Sequence, residues 1–262
     1  MGRAPMSKIH PTAIVDPKAE LAEGVEVGPW TWIGPGVRLG PHCWIGPRVL
    51  IDGQTRLGRG CRVSGGAVIG TEPQDLKYRG EATRVQIGDD VVIREFVTIN
   101  RACGEGQATV LGNRLLVMAY AHVAHNCELE DEVVMANAAT LGGHIRIERG
   151  AIIGGLVAIH QFARVGRYAI IRGGSAVGQD VLPFTTAAGF PCSPRGLNLV
   201  GLKRHKFSQD RIAAIRRAYK LIFRSGLKLD DAISQLKTEF PENEDIQHMV
   251  RFIENSQRGL AR

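Results

Sequence analysis

Residues 9–70 read IHPTAIVDPKAELAEGVEVGPWTWIGPGVRLGPHCWIGPRVLIDGQTRLGRGCRVSGGAVIG. Counting forward in sixes from Ile9 gives Val15, Leu21, Val27, Ile33, Leu39, Ile45, Ile51, Leu57, Val63 and Ile69, all apolar. In a chain that is 44% apolar, eleven consecutive hits by chance have a probability of roughly one in ten thousand. The residue four places further on is small or β-branched, as at Ala13, Ala19, Val25, Thr31, Val37, Cys43 and Val49, and glycine often follows the apolar step, as at Gly28, Gly34, Gly40 and Gly46. A period of six with these preferences predicts a parallel β-helix, each unit giving a short strand with two inward positions and then a corner. Three units close a coil, so residues three units apart stack at about the 4.8 Å spacing of paired strands. One coil cannot bury its own inner face, so stability comes from stacking coils.

The repeat resumes at Ile87, Ile93 and Ile99, and again from Leu111 to Val177. The excursions at 71–86 and 100–109 interrupt it, and long irregular loops in a regular scaffold usually carry function. Outward positions read down the stacks give one apolar column, Ile14, Trp32, Leu50 and Val68, with Leu116, Val134, Ile152 and Ile170 continuing the theme. Such a column is expected to be covered by another subunit or by the C-terminal segment. Glu128, Arg146 and Arg164 read as a solvated column, and His122, Thr140, Ala158 and Ala176 as a third. The repeat stops at Pro183, and a Pro/Gly-rich connector runs through Gly196. Helical spacing follows, with Ile212, Ile215, Tyr219 and Ile222 on one side, Ser208 as N-cap and Gly226 as stop. A second helix is predicted over about Asp231–Phe240, and a third with Pro241 in its first turn and Ile246, Met249, Val250 and Ile253 on its apolar stripe. The chain is therefore mainly β, with a β-helix over 1–190 and a C-terminal α-helical domain over 191–262.

The 32 glycines are explained by the corners. No apolar run of about 18 residues and no signal-like stretch near Met1 is present, which predicts neither membrane insertion nor export. Cys43, Cys61 and Cys127, three of five cysteines, fall at small inward positions and read as core filler in a reducing compartment. The net charge of +7 invites a nucleic-acid reading, but the basic residues are dispersed and lack interleaved aromatics. An acidic protein or a phosphorylated ligand suits the charge better.

Four of the eight histidines, His122, His125, His144 and His160, fall within one short stretch. One coil on from His125 stands Gly143, and two coils on stands Gln161, so the three line up. Imidazole is the common general base near neutral pH, and a glycine above it offers an unobstructed N–H to an acyl-transfer oxyanion. The same patch suits a metal, because His125 and His160 are spaced like ligands from adjacent coils, or a set of solvated corner residues. Asp75 and Lys77 place opposite charges in the first excursion, and the stretch from Asn198 to His205 has a cationic end suited to a phosphate or diphosphate.

The segments QDLKYRGEATRVQIGD, AHVAHNC, ANAATLGGH, AIHQF, GQDV and GLKRHKFS, followed by AIRRAYKLIFRSG, occur in this order. With them the chain resembles, from Ile9 to Arg262, the acyl-carrier-protein:UDP-N-acetylglucosamine O-acyltransferases that begin lipid A synthesis. The N-acyltransferase of the same pathway is less similar, since it carries an extra domain before its β-helix. The resemblance implies a left-handed coil and a cytoplasmic homotrimer with active sites in clefts between subunits. It implies that His125 takes the proton of the sugar 3-hydroxyl, which attacks the thioester of a 3-hydroxyacyl group on the acyl carrier protein's phosphopantetheine, while Gly143 N–H holds the oxyanion. By the same resemblance Asp75, Lys77, His122, His144, His160 and Gln161 line the sugar, acyl and phosphate subsites, Asn198 and Arg204 lie near the nucleotide, and Gly173 sets acyl length, open to chains of the tetradecanoyl kind. No metal and no cofactor beyond the donor's own arm is implied. Four residues depart from the pattern: Asn126 stands for the usual aspartate, Arg172 for glycine, Val200 for glutamate and His205 for arginine. A neutral amide beside the base stabilises imidazolium less than a carboxylate does, which keeps a 3-amino sugar nucleotide open as the acceptor. A metalloenzyme or a non-catalytic scaffold would need neither the QDLKY loop nor the tail.

Overall fold

The computed structural model describes residues 7–262, so the stretch at Met1 on which the absence of an export leader rested lies outside the described residues. Ile9 pairs in parallel with Val27 and Val27 with Ile45, the stacking that a three-unit coil requires. The short strands wind a left-handed parallel β-helix with three faces. Face I holds eleven strands from Lys8–Ile9 to Ser193–Leu197, face II nine from Ile14–Val15 to Ala176–Val177, and face III eight from Glu20–Leu21 to Arg164–Val165. Ile33, Ile45, Ile51, Ile69, Val117 and Ile153 are fully buried in the axial core. Cys43, Cys61 and Cys127 sit among them as expected, each thiol donating to a glycine carbonyl of the next coil: Gly58, Gly88 and Gly142, at 3.0–3.1 Å.

Both excursions are tighter than the breaks in the repeat. Val68–Thr71 and Arg84–Ile87 are strands, so only 72–83 leave the coil. Arg84, Val85 and Gln86 are templated by Gln54, Thr55 and Arg56 of the longer strand before them. The second excursion spans 101–107, between Thr98–Asn100 and Ala108–Leu111.

Two of the expected columns belong together and one does not. Ile14, Trp32, Leu50 and Val68 continue through Thr98 into His122, Thr140, Ala158 and Ala176, all on face II. Leu116, Val134, Ile152 and Ile170 lie instead on face I. The column on face III is not uniformly wet: Arg164 donates to the carbonyls of Phe252 and Asn255, both at 3.1 Å, and lies over the Phe252 ring.

The connector is not irregular. Thr185–Ala188 adds to face I beside Ile170–Ile171, and Ser193–Leu197 folds back antiparallel on it, so a boundary at 190/191 runs through the tip of a hairpin. Four helices follow: α1 (Leu199–Arg204), absent from the sequence reading, α2 (Gln209–Arg224), α3 (Leu229–Glu239) and α4 (Glu244–Glu254). Ser208 caps α2 by accepting from Arg211 N, and Gly226 follows its end at φ +77°. Pro241 lies ahead of α4, whose N-cap is Asn243. No helix among the described residues is long and apolar enough to cross a membrane.

The helices close the end of the prism on Leu182 and Phe184, and ion pairs fix the contact. Asp245, in the first turn of α4, accepts from Arg167 Nη2 at 2.9 Å and from Arg211 Nε at 2.8 Å. Glu148 accepts from Arg167 N at 2.9 Å and lies 2.7 Å from His248 Nε2. Burial pushes the Glu148 carboxyl up, but His248, Arg167 N–H and Arg164 outweigh it and hold it below the usual carboxylate range. That contribution to stability is present above the ordinary carboxylate pKa and fades as pH falls through the lowered one. Asp245→Ala leaves Arg167 and Arg211 without their shared carboxylate and is expected to cost about 2 kcal/mol in urea unfolding, discounted for the half-exposed Arg211. A change under a few tenths would show that the pairs do not hold the dock.

Candidate active site

The corner between faces II and III brings His125, Gly143, His144, Gln161 and Phe162 together on successive coils, tied by His144 N–H to His125 O and Phe162 N–H to Gly143 O, both at 3.1 Å. Asn126, His144 and Phe162 take positive φ here, at 58°, 59° and 66°. The His144 ring stacks on Phe162 at 4.8 Å and meets His125 edge-on at 5.2 Å. Gly143 fits against the His125 imidazole so closely that a Cβ there would lie 2.5 Å from Cε1 and Nε2. Its N–H donates to no other group among the described residues.

The His125 ring is held from one side. Its Nδ1 lies 2.9 Å from Asn126 Oδ1, and that oxygen also accepts from Cys103 N at 2.8 Å, while Asn126 Nδ2 donates to Cys103 O at 3.1 Å. The two backbone groups of Cys103 thus fix which end of the amide faces the ring. An acceptor at Nδ1 requires a proton on Nδ1 and leaves the Nε2 lone pair free. Asp75 approaches that other side, with Oδ2 3.9 Å from His125 Nε2 and Oδ1 accepting from Lys77 N at 2.9 Å. The Lys77 N–H holds the Asp75 carboxyl below its ordinary range, with His125 adding to the effect. His122 lies 2.6 Å from Thr98 Oγ1 through Nδ1, and His160 Nδ1 lies 3.2 Å from Gln161 O.

An apolar groove of about 400 Å³ opens on face II below these histidines. The small side chains of Ala158 and Ala176 form its floor, and Phe190 and Pro191 of the hairpin tip form its wall.

Comparison with known proteins gives the family. A model described as UDP N-acetylglucosamine O-acyltransferase, domain 2, matches residues 180–261, and one for bacterial transferase hexapeptides (six repeats) matches residues 36–71. The acyl-[acyl-carrier-protein]–UDP-N-acetylglucosamine O-acyltransferase of Alkalilimnicola ehrlichii is 52% identical over 98% of this chain and 100% of its own length. The protein of the same name from Gloeothece citriformis is 51% identical over 97% and 92%. The chain belongs to the UDP-N-acetylglucosamine O-acyltransferase family. A crystal structure of a UDP-N-acetylglucosamine O-acyltransferase from Moraxella catarrhalis superposes with a TM-score of 0.94 at 39% identity, covering 97% of this chain and 99% of that one.

Of the residues that the family resemblance implicates, Asp75, His125, Gly143, His144 and Gln161 gather at this corner, with His122 on the adjoining face and His160 just after the Ala158–Ile159 strand, next to Gln161; Lys77 contributes its amide, and its side chain is exposed. Gly173 does not join them: it stands on Gly155 at the corner between faces I and II. Asn198 caps α1 and Arg204 ends it, beside Tyr168 at the third corner. Asn198 is buried and committed as a cap, its Oδ1 accepting from Gly201 N at 3.0 Å and its Nδ2 donating to Tyr168 O at 2.9 Å. His205 packs its ring 4.7 Å from Tyr168. Among the described residues, the three potential ligand atoms that lie within 4.8 Å of one another belong to Asp75, Cys103 and His125, a set that does not include His160. Cys103 escaped the sequence reading, although it is a cysteine in an irregular loop rather than at an inward step of the repeat.

Burial, and then the charge of His125, lowers the pKa of both His122 and His144 below the ordinary 6.5. The unfolded chain therefore binds more protons than the native one just under that value, and both side chains erode stability as pH falls through it. NMR titration of the imidazoles is expected to give midpoints below 6.5 for both, and a midpoint above it for either would show that water reaches the ring.

Proposed function

We propose that the chain transfers a 3-hydroxyacyl group from acyl carrier protein to the 3-hydroxyl of UDP-N-acetylglucosamine, the first step of lipid A synthesis, with His125 as general base. The observation that carries the mechanism is the free Nε2 of His125 lying against the backbone of Gly143. Nε2 removes the hydroxyl proton as the oxygen attacks the thioester carbonyl, and Gly143 N–H receives the negative charge that develops on the carbonyl oxygen. Collapse of the tetrahedral intermediate breaks the C–S bond, and the departing phosphopantetheine sulfur takes the proton back from the imidazolium. Asn126 orients the ring without charging it; the carboxylate that stabilises imidazolium here is Asp75, across Nε2. The acyl arm provides the donor chemistry, so no cofactor is invoked. The groove over Ala158 and Ala176 suits an acyl chain, with Gly173 as a second determinant of its length. His122, His144, His160, Gln161 and the Lys77 side chain serve the sugar and phosphate groups.

We further infer a homotrimer working in the cytoplasm. One prism holds His125, Gly173 and Arg204 at three different corners, and a single substrate can reach more than one corner only where neighbouring chains meet. Apolar side chains stand ready for such contacts: Trp32 is 44% exposed, Phe96 52%, Tyr120 63%, Leu156 73% and Leu76 97%, and the helical tail leaves them uncovered.

The decisive test is a mass-spectrometric transfer assay offering 3-hydroxyacyl carrier proteins of several lengths to UDP-N-acetylglucosamine and to its 3-amino analogue. Ester product is expected, falling about 10²–10⁴-fold in His125→Ala. Amide product alone would favour the amino acceptor that Asn126 leaves open, and undiminished transfer by the variant would remove His125 from the chemistry. In the same assay Ala176→Leu, which fills the groove floor, is expected to shift preference toward shorter chains by at least tenfold in kcat/KM. An unchanged profile would place the acyl chain elsewhere.

A further inference from the structure

We propose that Asp75, Cys103 and His125 form a binding site for zinc or a similar divalent ion, and that its occupancy switches the enzyme off. The three side chains come from separate segments: the first excursion, the second excursion and the corner between faces II and III. Cys103 Sγ lies 3.8 Å from Asp75 Oδ2, His125 Nε2 lies 3.9 Å from the same oxygen, and all three ligand atoms fall within 4.8 Å of one another. Tetrahedral zinc with bonds of about 2.0–2.3 Å separates its ligands by roughly 3.4–3.6 Å, so the two pairs that share Asp75 Oδ2 close on an ion by moving a few tenths of an ångström, and the Cys103–His125 pair, within 4.8 Å, by at most about 1.3 Å.

Each ligand is already oriented by a partner behind it. Lys77 N occupies Asp75 Oδ1 and turns Oδ2 toward the other two. Asn126 occupies His125 Nδ1 and leaves Nε2 as the donor, and Cys103 is anchored through its own N–H and carbonyl to that asparagine. Such outer contacts are what make ligands into a site rather than a chance cluster. Thiolate, imidazole and carboxylate together select zinc-like ions over magnesium or calcium. Cys103 directs its thiol hydrogen toward Asp75 Oδ2, so the site is thiol and carboxylate until a metal arrives. Binding forms Zn–S, Zn–N and Zn–O bonds and releases the thiol proton to solvent.

The ion takes the Nε2 lone pair, the atom that removes the sugar proton. That inhibitory consequence rests on the proposed function; the binding does not. Cobalt(II) reports thiolate ligation directly by a sulfur-to-metal charge-transfer band in the near ultraviolet. The intact protein titrated with cobalt chloride is expected to show the band, and zinc is expected to displace it. Cys103→Ala should abolish the band, and Asp75→Asn and Cys103→Ala should each weaken zinc binding at least tenfold by calorimetry. In the transfer assay, zinc at a concentration that silences the wild type should leave Cys103→Ala at more than half of that variant's own zinc-free rate. Absence of the band, or zinc binding unaffected by both variants, overturns the site. Wild-type transfer undiminished by saturating zinc overturns the switch. Metal binding by a protein that transfers to neither acceptor would condemn the functional reading while leaving the site standing.

Discussion

The amide that leaves each inward residue donates to the carbonyl one coil on, as Trp32 N does to Val49 O at 2.8 Å and His122 N to Ala139 O at 2.9 Å, and the whole molecule is registered on this ladder. Stacking forces like positions into line, so an aliphatic inward step repeated along the sequence becomes a continuous dry core, and each corner residue inherits the neighbours of the corners above and below it. The chemistry is assembled by that inheritance. His125, Gly143 and Gln161 meet because they occupy equivalent places in successive coils, and the glycine tolerates the imidazole only because it lacks a Cβ.

The two excursions exploit the same rigidity. Val68–Thr71 and Arg84–Ile87 bound the first and Thr98–Asn100 and Ala108–Leu111 the second, so both loops spring from fixed ladders just before the histidine corner. The second loop reaches Asn126 through the backbone of Cys103, and the first brings Asp75 to the free side of His125. The asparagine that breaks the family pattern is thereby accounted for in part: its amide is oriented by two backbone groups and sets the tautomer, while the negative charge is delivered from another loop.

The helical tail is held in a fixed position on the prism. It closes the end of the core on Leu182 and Phe184 and ties itself down through Arg164, Arg167, Glu148 and Asp245, which keeps α1 at the corner beside Tyr168. Asn198 is spent on that attachment as the cap of α1, while Lys203 and Arg204 lie in the last turn of the helix.

The repeat, the inward cysteines, the cap at Ser208 and the alignment of His125 with Gly143 and Gln161 were legible in the sequence, because each depends on periodicity or on neighbours within one turn. The face to which a column belongs was not legible, because the excursions keep the step of six but not the coil of three steps: Val68 pairs with Thr98, five steps on, and Thr98 with His122, four steps on, so face II runs from Ile14 to Ala176 only once those extra steps are subtracted. The hairpin over Thr185–Leu197 was hidden by prolines and glycines that suit a loop equally well, until the open edge of face I supplied partners. The family resemblance singled out Asp75, but neither it nor the spacing connected Cys103 to His125. Only the tertiary structure made them neighbours, since ligand atoms from two loops and a corner approach within a few ångströms through folds of the chain that no local pattern encodes.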